Sequence, residues 1–143
     1  MVDAARLRAV LSRLRARRME LRNYEERESA AYLADTEAVY ASKYLLLTAV
    51  EDALSAANHV IASEGYRAPV DYADAFTSLS EAGVLAADLA GRLEAMARFC
   101  NLLVHQYAEI DDRRVHEFLR QDLVDLDSFV AAVLDAFPDL GSE

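Results

Sequence analysis

Helix breakers are scarce in this chain, and that constrains its fold more than any other feature. Four glycines and two prolines are spread over 143 residues, while Ala and Leu, both strong helix formers, dominate. A many-stranded sheet needs frequent turns, and the chain lacks the residues to make them. Long amphipathic helices joined by short loops bury one face each against their neighbours. The expected fold is therefore all-α: an antiparallel bundle of four to five helices in a single domain, residues 1–143.

Apolar spacing places the helices. Asp3 is positioned to cap a first helix to about Tyr24, with Leu7, Leu11, Leu14, Arg18 and Leu21 on one face. Arg8, Arg15 and Arg22 lie a heptad apart on another. The stretch from Glu25 to Asp35 is charged, and the helix breaks or continues there. A second long helix covers about Thr36 to Ser63, with Val39, Leu46, Val50, Leu54, Ala57 and Ile61 as its stripe and Gly65 as its left-handed C-cap. Pro69 marks a loop. Asp71 is an N-cap candidate for a short helix to Leu79. Gly83 separates that helix from a fourth, about Val84 to Ala108, whose apolar face runs through Leu89, Leu93, Met96, Leu103 and Val104. Asp111-Asp112 opens a last helix to about Phe137, lined by Val115, Phe118, Leu119, Leu123, Leu126, Val130, Val133 and Leu134.

The net charge is −10 and unevenly spread. Residues 1–28 hold eight Arg against five acids, and the remainder holds seven cations against twenty acids. A balance this acidic argues against broad nucleic-acid binding, leaves room for a local cationic cleft, and suits a partner with a basic surface. No apolar run approaches the ~18 residues of a membrane span; the longest strong cluster, Tyr44 to Val50, is short and sits beside Glu51 and Asp52. The basic N-terminus lacks the apolar core and cleavage site of a signal peptide. The lone cysteine, Cys100, cannot form an internal disulfide. Together these features predict a cytoplasmic protein with no membrane partner.

The chemistry concentrates in Arg98-Phe99-Cys100-Asn101-Leu102-Leu103-Val104-His105-Gln106-Tyr107. At ~100° per residue, Arg98, Asn101 and His105 share one face of the fourth helix. Cys100 lies about 140° from His105, on the shoulder of that face, and Tyr107 points elsewhere unless the helix unwinds. Metal-free RNA cleavage needs a base for the ribose 2′-hydroxyl, an acid for the leaving 5′-oxygen, and a cation or donors for the phosphorane charge. His serves either proton role near neutral pH, and Arg or Asn holds a phosphate. The plainer reading makes His105 a satisfied structural residue and Tyr107 a bundle-end aromatic. Asn101, a mediocre helix former in apolar company, is the better clue: it either faces a cleft or belongs to a polar network.

This stretch resembles the active-site motif of HEPN ribonuclease toxins of the HepT type, which runs Arg-Asn, three residues, His, one residue, Tyr. The resemblance extends over residues 37 to 134. Ala49-Val50-Glu51 with Ala57-Asn58-His59-Val60-Ile61 is similar to the family's second long helix. Pro69, Tyr72-Ala73-Asp74, Phe76 and Leu79 are similar to its loop and short helix. The resemblance implies a homodimer with both motif helices lining an interface cleft. It implies a metal-independent endoribonuclease acting on RNA, without a cofactor. It also implies a cognate minimal nucleotidyltransferase antitoxin, MntA-like, that transfers AMP onto Tyr107. In that scheme His105 is catalytic, Asn101 is the polar residue after the Arg, and Glu51 is a helix-two acid that orients a motif cation or sits in a surface salt bridge. The arginines at 8, 15 and 22 are then either an exposed strip pairing with Glu20, Glu25 and Glu26 or an RNA-facing strip near the cleft.

Cys100 stands in the family's Arg slot and has neither permanent charge nor forked donors. Three readings compete. Arg98 takes over the cation's work; the chain is a naturally inactive homologue that only binds its partner; or Cys100 is a detoxifying change, one nucleotide from an Arg codon. A nucleophilic role for Cys100 lacks neighbours, Arg98 aside, that would lower its pKa. The non-enzymatic alternative is a catalytically inactive HEPN binding module, a helical dimer that serves as partner and modification substrate of a nucleotidyltransferase. A di-iron bundle is disfavoured because His59, His105 and His116 lack a Glu three residues before them. Rossmann, P-loop and zinc-finger spacings are absent.

Overall fold

The computed structural model describes residues 1–105 and 110–141, and among these every regular element is helical. The helices are α1 (Ala4–Glu25), α2 (Ser29–Ala34), α3 (Thr36–Glu64), α4 (Asp74–Glu81), α5 (Ala87–His105), α6 (Asp112–Gln121) and α7 (Val124–Ala136), followed by a 3-10 turn at Pro138–Gly141. The all-α bundle expected from the scarcity of breakers is present. Among the described residues it has seven α-helices rather than four or five, because the charged stretch folds as short α2 and the last helix is split.

Local capping explains the ends that sequence placed well. The Asp3 carboxylate accepts the Arg6 backbone N–H at 3.1 Å, and the Asp35 carboxylate accepts that of Ala38 at 3.1 Å. These caps satisfy first-turn donors that have no partner inside the helix. Gly65 ends α3 at φ 71° with its N–H on Ile61 O, a left-handed conformation that a Cβ disfavours. Asp71 does bind a backbone N–H, that of Asp74 at 2.8 Å, yet α4 begins only at Asp74. Arg67 explains the delay. Its guanidinium grips Asp74 at 2.7 Å and Glu81 at 2.8 Å, and Asp74 also accepts the Val70 N–H, so residues 66–73 are tied into a loop. This pairing holds the Asp74 carboxyl at about 2. Val84 and Leu85 precede α5 rather than opening it; both backbone N–H groups return to Leu79 O.

Packing sets the rest. The α1 face through Leu7, Leu11, Leu14, Arg18 and Leu21 is buried against the bundle. Arg18 is held inside by Glu25 at 2.7 Å and by Asp127 of α7 at 3.2 Å. α3 is the central helix and touches α1, α2, α4, α5 and α7. It is long and apolar enough by composition to cross a membrane, but half of that window is buried inside the bundle, as a core helix requires. The sequence reading, which finds no apolar run near span length, is corrected here: Lys43 and Glu51-Asp52 bound its strongest cluster, Tyr44 to Val50, yet the mean hydropathy of the longer window is still high enough. His116 is also buried. Its ring stacks on Tyr32 at 4.2 Å, one nitrogen lies 3.0 Å from Tyr24 O, and the other lies 3.3 Å from Ser29 Oγ, which joins α6 to α1 and α2.

The single last helix predicted to Phe137 is corrected by a break at Asp122-Leu123. No glycine or proline marks it. α6 packs on α1 and α2 while α7 packs on α5, α3 and α1, and one straight helix would not face both sets. Phe118 and Leu134, expected on the buried side, are only partly covered. The joint carries a cost: burial, then the neighbouring Asp125 charge, raises the Asp122 carboxyl above its usual range. A raised folded pKa means the charged carboxylate opposes folding above that pKa. Asp122→Asn is therefore expected to raise the melting temperature by roughly 1–2 °C at pH 7, with the gain vanishing below about pH 4 where both states are protonated. Thermal melts across pH 3–8 check this, and equal gains at both ends would sink it.

Candidate active site

α5 is pinned in rotation by its apolar side. Leu93, Met96, Phe99, Cys100 and Leu103 are buried. Phe99 stacks on Phe118 of α6 at 4.7 Å, with the Arg114 guanidinium 5.0 Å from the Phe99 ring on the other contact. This rotation leaves Arg98, Asn101 and His105 exposed, as one polar face of an apolar helix should be. Val104 corrects the sequence reading. It was expected in the core and is 54% exposed, because it lies about 60° from Asn101 on the side of α5 that faces the α3–α5 groove.

A groove of about 270 Å³ runs between α3 and α5. Leu47, Glu51 and Leu54 form the α3 wall, Cys100 and Asn101 the α5 wall, and Tyr72 from the loop before α4 closes one side. Leu54, expected in the buried stripe, is partly exposed here. The structure thus brings together three residues singled out from sequence: Cys100, Asn101 and Glu51. It does not bring in Arg98, which turns toward Asp71 at 3.8 Å and is not part of the groove wall. His105 stands exposed in the final turn of α5, also outside the groove wall. Tyr107 lies outside the described residues.

Electrostatics decide what this groove can do. Cys100 is buried at the α5 wall, and burial pushes its thiol up to about 12. It is therefore a neutral thiol at physiological pH, neither a nucleophile nor a cation. Glu51 projects into the groove while its neighbour Asp52 is buried on the α1 side, paired with Arg17 and with Arg13 at 3.6 Å. The groove therefore has a carboxamide donor and a carboxylate but no cation on its walls. Among the described residues, no cluster of three His, Cys, Asp or Glu side chains is close enough to hold a metal.

Sequence reasoning missed the Arg13–Arg17–Asp52 cluster, the Asp71–Arg98 contact and Tyr72 as a groove wall. Their partners are far apart in the chain, and no spacing rule connects them. Arg15 and Arg22 of the Arg8, Arg15 and Arg22 strip are exposed, and Arg8 is half-buried. Arg8 and Arg15 line a hollow with Leu134 and Leu140, on the α7 side of α1 and away from the groove. Of the acids expected to pair with the strip, Glu25 is taken by Arg18 instead.

The fold is an all-α bundle whose α3–α5 groove brings Cys100 and Asn101 opposite Glu51. A sequence model described as HepT-like, ribonuclease HepT-like, matches residues 12–133, and the chain belongs to that family. No curated protein matches it. Among solved structures, the chain is similar to a toxin–antitoxin complex with AMP-PNP, at 17% identity and TM-score 0.83, covering 90% of this chain and 97% of the other. It is similar to a tri-AMPylated Shewanella oneidensis HEPN toxin in complex with its MNT antitoxin, at 20% identity and TM-score 0.78, covering 94% and 99%. It is also similar to YutE, a cytosolic protein of unknown function from Bacillus subtilis, at 17% identity and TM-score 0.79, covering 99% and 96%. At these identities the likeness carries the fold.

Proposed function

We propose that this chain is the ribonuclease toxin of a toxin–antitoxin pair, a cytoplasmic homodimer whose cleavage site is silenced by Cys100. The observation that carries the reading is the groove: Cys100, in the family's Arg slot, forms its α5 wall beside Asn101 and opposite Glu51. An arginine there would project into the groove, where Glu51 could orient it by a charge-assisted hydrogen bond. The toxin–antitoxin complexes among the structural neighbours support the partner, an MntA-like nucleotidyltransferase.

The chemistry follows from two copies of one motif across a two-fold axis. His105 of one protomer takes the 2′-hydroxyl proton as the 2′-oxygen attacks phosphorus. A new O2′–P bond forms and the P–O5′ bond breaks. The partner protomer's imidazolium gives a proton to the departing 5′-oxygen, while Asn101 and the slot-100 cation stabilise the phosphorane. No metal enters the scheme. AMP on Tyr107 would add bulk and negative charge next to His105 and repel the RNA backbone.

Two measurements test the proposal. RNA cleavage in EDTA by Cys100→Arg is the direct test of the nuclease; a folded Cys100→Arg protein that cuts no RNA removes the enzyme and leaves the binding module. For the modification, the cognate nucleotidyltransferase with radiolabelled ATP is expected to label this chain and to lose at least ~90% of that label on Tyr107→Phe. Undiminished labelling of Tyr107→Phe would move the AMP to another residue.

A further inference from the structure

A second hollow, of about 560 Å³, opens beside the groove between the start of α1 and the second half of α3. Arg6, Glu51, Ser55, Asn58 and His59 are on its walls. Glu51 and Leu54 line both hollows, so the two adjoin on α3 with these side chains at their shared border, and together they make a stepped trough from Cys100 and Asn101 to Arg6 on α1. From Leu47 to His59 it follows about 18 Å of α3, at 1.5 Å rise per residue.

The charges along it are arranged unevenly. Arg6, Arg13 and Arg17 recur at seven- and four-residue steps, within ~40° of one another on the α3 edge of α1. Arg13 and Arg17 share the buried Asp52. Arg6 is exposed and makes no ion pair among the described residues. The trough therefore ends in a free guanidinium. Asn58 donates its amide N–H to Leu54 O at 2.9 Å, which leaves its carbonyl oxygen to accept from a ligand.

We propose that this hollow is a nucleotide subsite, in which Arg6 holds a phosphate of single-stranded RNA flanking the scissile bond. Ser55 and Asn58 face the adjoining base. A forked guanidinium matches two phosphate oxygens, and single-stranded RNA exposes base edges whose N–H groups suit hydroxyl and carbonyl acceptors. The trough runs on from the cleavage groove, so one strand occupies both. The proposal rests on the ribonuclease reading above, because it is RNA in the groove that brings the strand to Arg6.

The test is anisotropy binding of a labelled single-stranded RNA hexanucleotide and a dinucleotide to the full chain, with Arg6→Glu, Arg6→Ala and Arg15→Glu. Arg15 lies on the opposite edge of α1 and gives the same charge change away from the trough. Arg6→Glu is expected to weaken hexanucleotide binding about tenfold and to leave the dinucleotide unchanged. Arg6→Ala should flatten the slope of log affinity against log salt by roughly 0.7, one phosphate contact. Arg15→Glu should change neither. Equal weakening by Arg6→Glu and Arg15→Glu would overturn the subsite, as would a change in sedimentation by Arg6→Glu with RNA binding intact, which would make the hollow a protein contact. Arg6-dependent binding without cleavage by Cys100→Arg would support the subsite and remove only the nuclease. No RNA binding by any form would remove both.

Discussion

Cys100→Arg should turn an inert protein into one that cuts RNA and arrests growth, with a rate gain of about 10²–10³. That range is what one well-placed donor to a developing oxyanion supplies, roughly 2.7–4 kcal/mol. The groove wall holds a neutral thiol, and in the proposed mechanism that is where the phosphorane charge would develop. An arginine at this buried position must lay its methylenes along Leu47 and Leu54 and carry its charge into the groove, where Glu51 is exposed to receive it. Overpacking costs about 1–3 kcal/mol, so a thermal melt accompanies the assay. Adding His105→Ala to Cys100→Arg should return cleavage to background, because Arg without the imidazole has no proton carrier. If the chain as given cuts as fast as Cys100→Arg, Arg98 is the working cation, and its contact with Asp71 must open during turnover. If Cys100→Arg folds and cuts nothing, the ribonuclease reading is wrong.

Helix ends with a local cause were legible in the sequence. Asp3 and Gly65 act on backbone groups within a few residues, so the start of α1 and the end of α3 follow from reading alone, while the Asp35 cap of α3 is seen only in the structure. The break at Asp122 was not legible, since its cause is the different partners of α6 and α7 rather than any residue at the joint. The candidate site divides the same way. Periodicity put Arg98, Asn101 and His105 on one outward face. It could not say that Arg98 would meet Asp71, nor that Asn101 would share a groove with Glu51, because both depend on how α3 and the loop at 66–73 dock on α5. Likewise α1 carries two arginine stripes, and only docking decides which one borders the trough. Residues 8, 15 and 22 caught the eye by their strict heptad, but it is Arg6 that lines the trough.

Leu47→Glu, placed in the Cys100→Arg background, should leave a folded monomer without nuclease activity. The α3 surface carries Tyr40 and Tyr44, 67% and 64% exposed, followed by half-buried Leu47 and Leu54 at helical spacing, with exposed Val104 across the groove. A run of large apolar side chains on one face marks an interaction site rather than a solvent face. In the proposed two-fold dimer every substitution occurs twice, so Leu47→Glu adds two carboxylates to an interface whose groove wall already carries Glu51 in each protomer. Desolvating them costs several kcal/mol, and about 4 kcal/mol is a ~10³-fold rise in the dimer dissociation constant. Leu47 is only half-buried within the chain, so the helical circular-dichroism signal should persist. Sedimentation velocity reads the dimer, and cleavage reads its consequence, since a base and an acid drawn from two copies of His105 are separated when the protomers part. A monomer that cleaves RNA at the parent rate would rule out the shared-histidine scheme, and a dimer unmoved by Leu47→Glu would place the two-fold contact on another face.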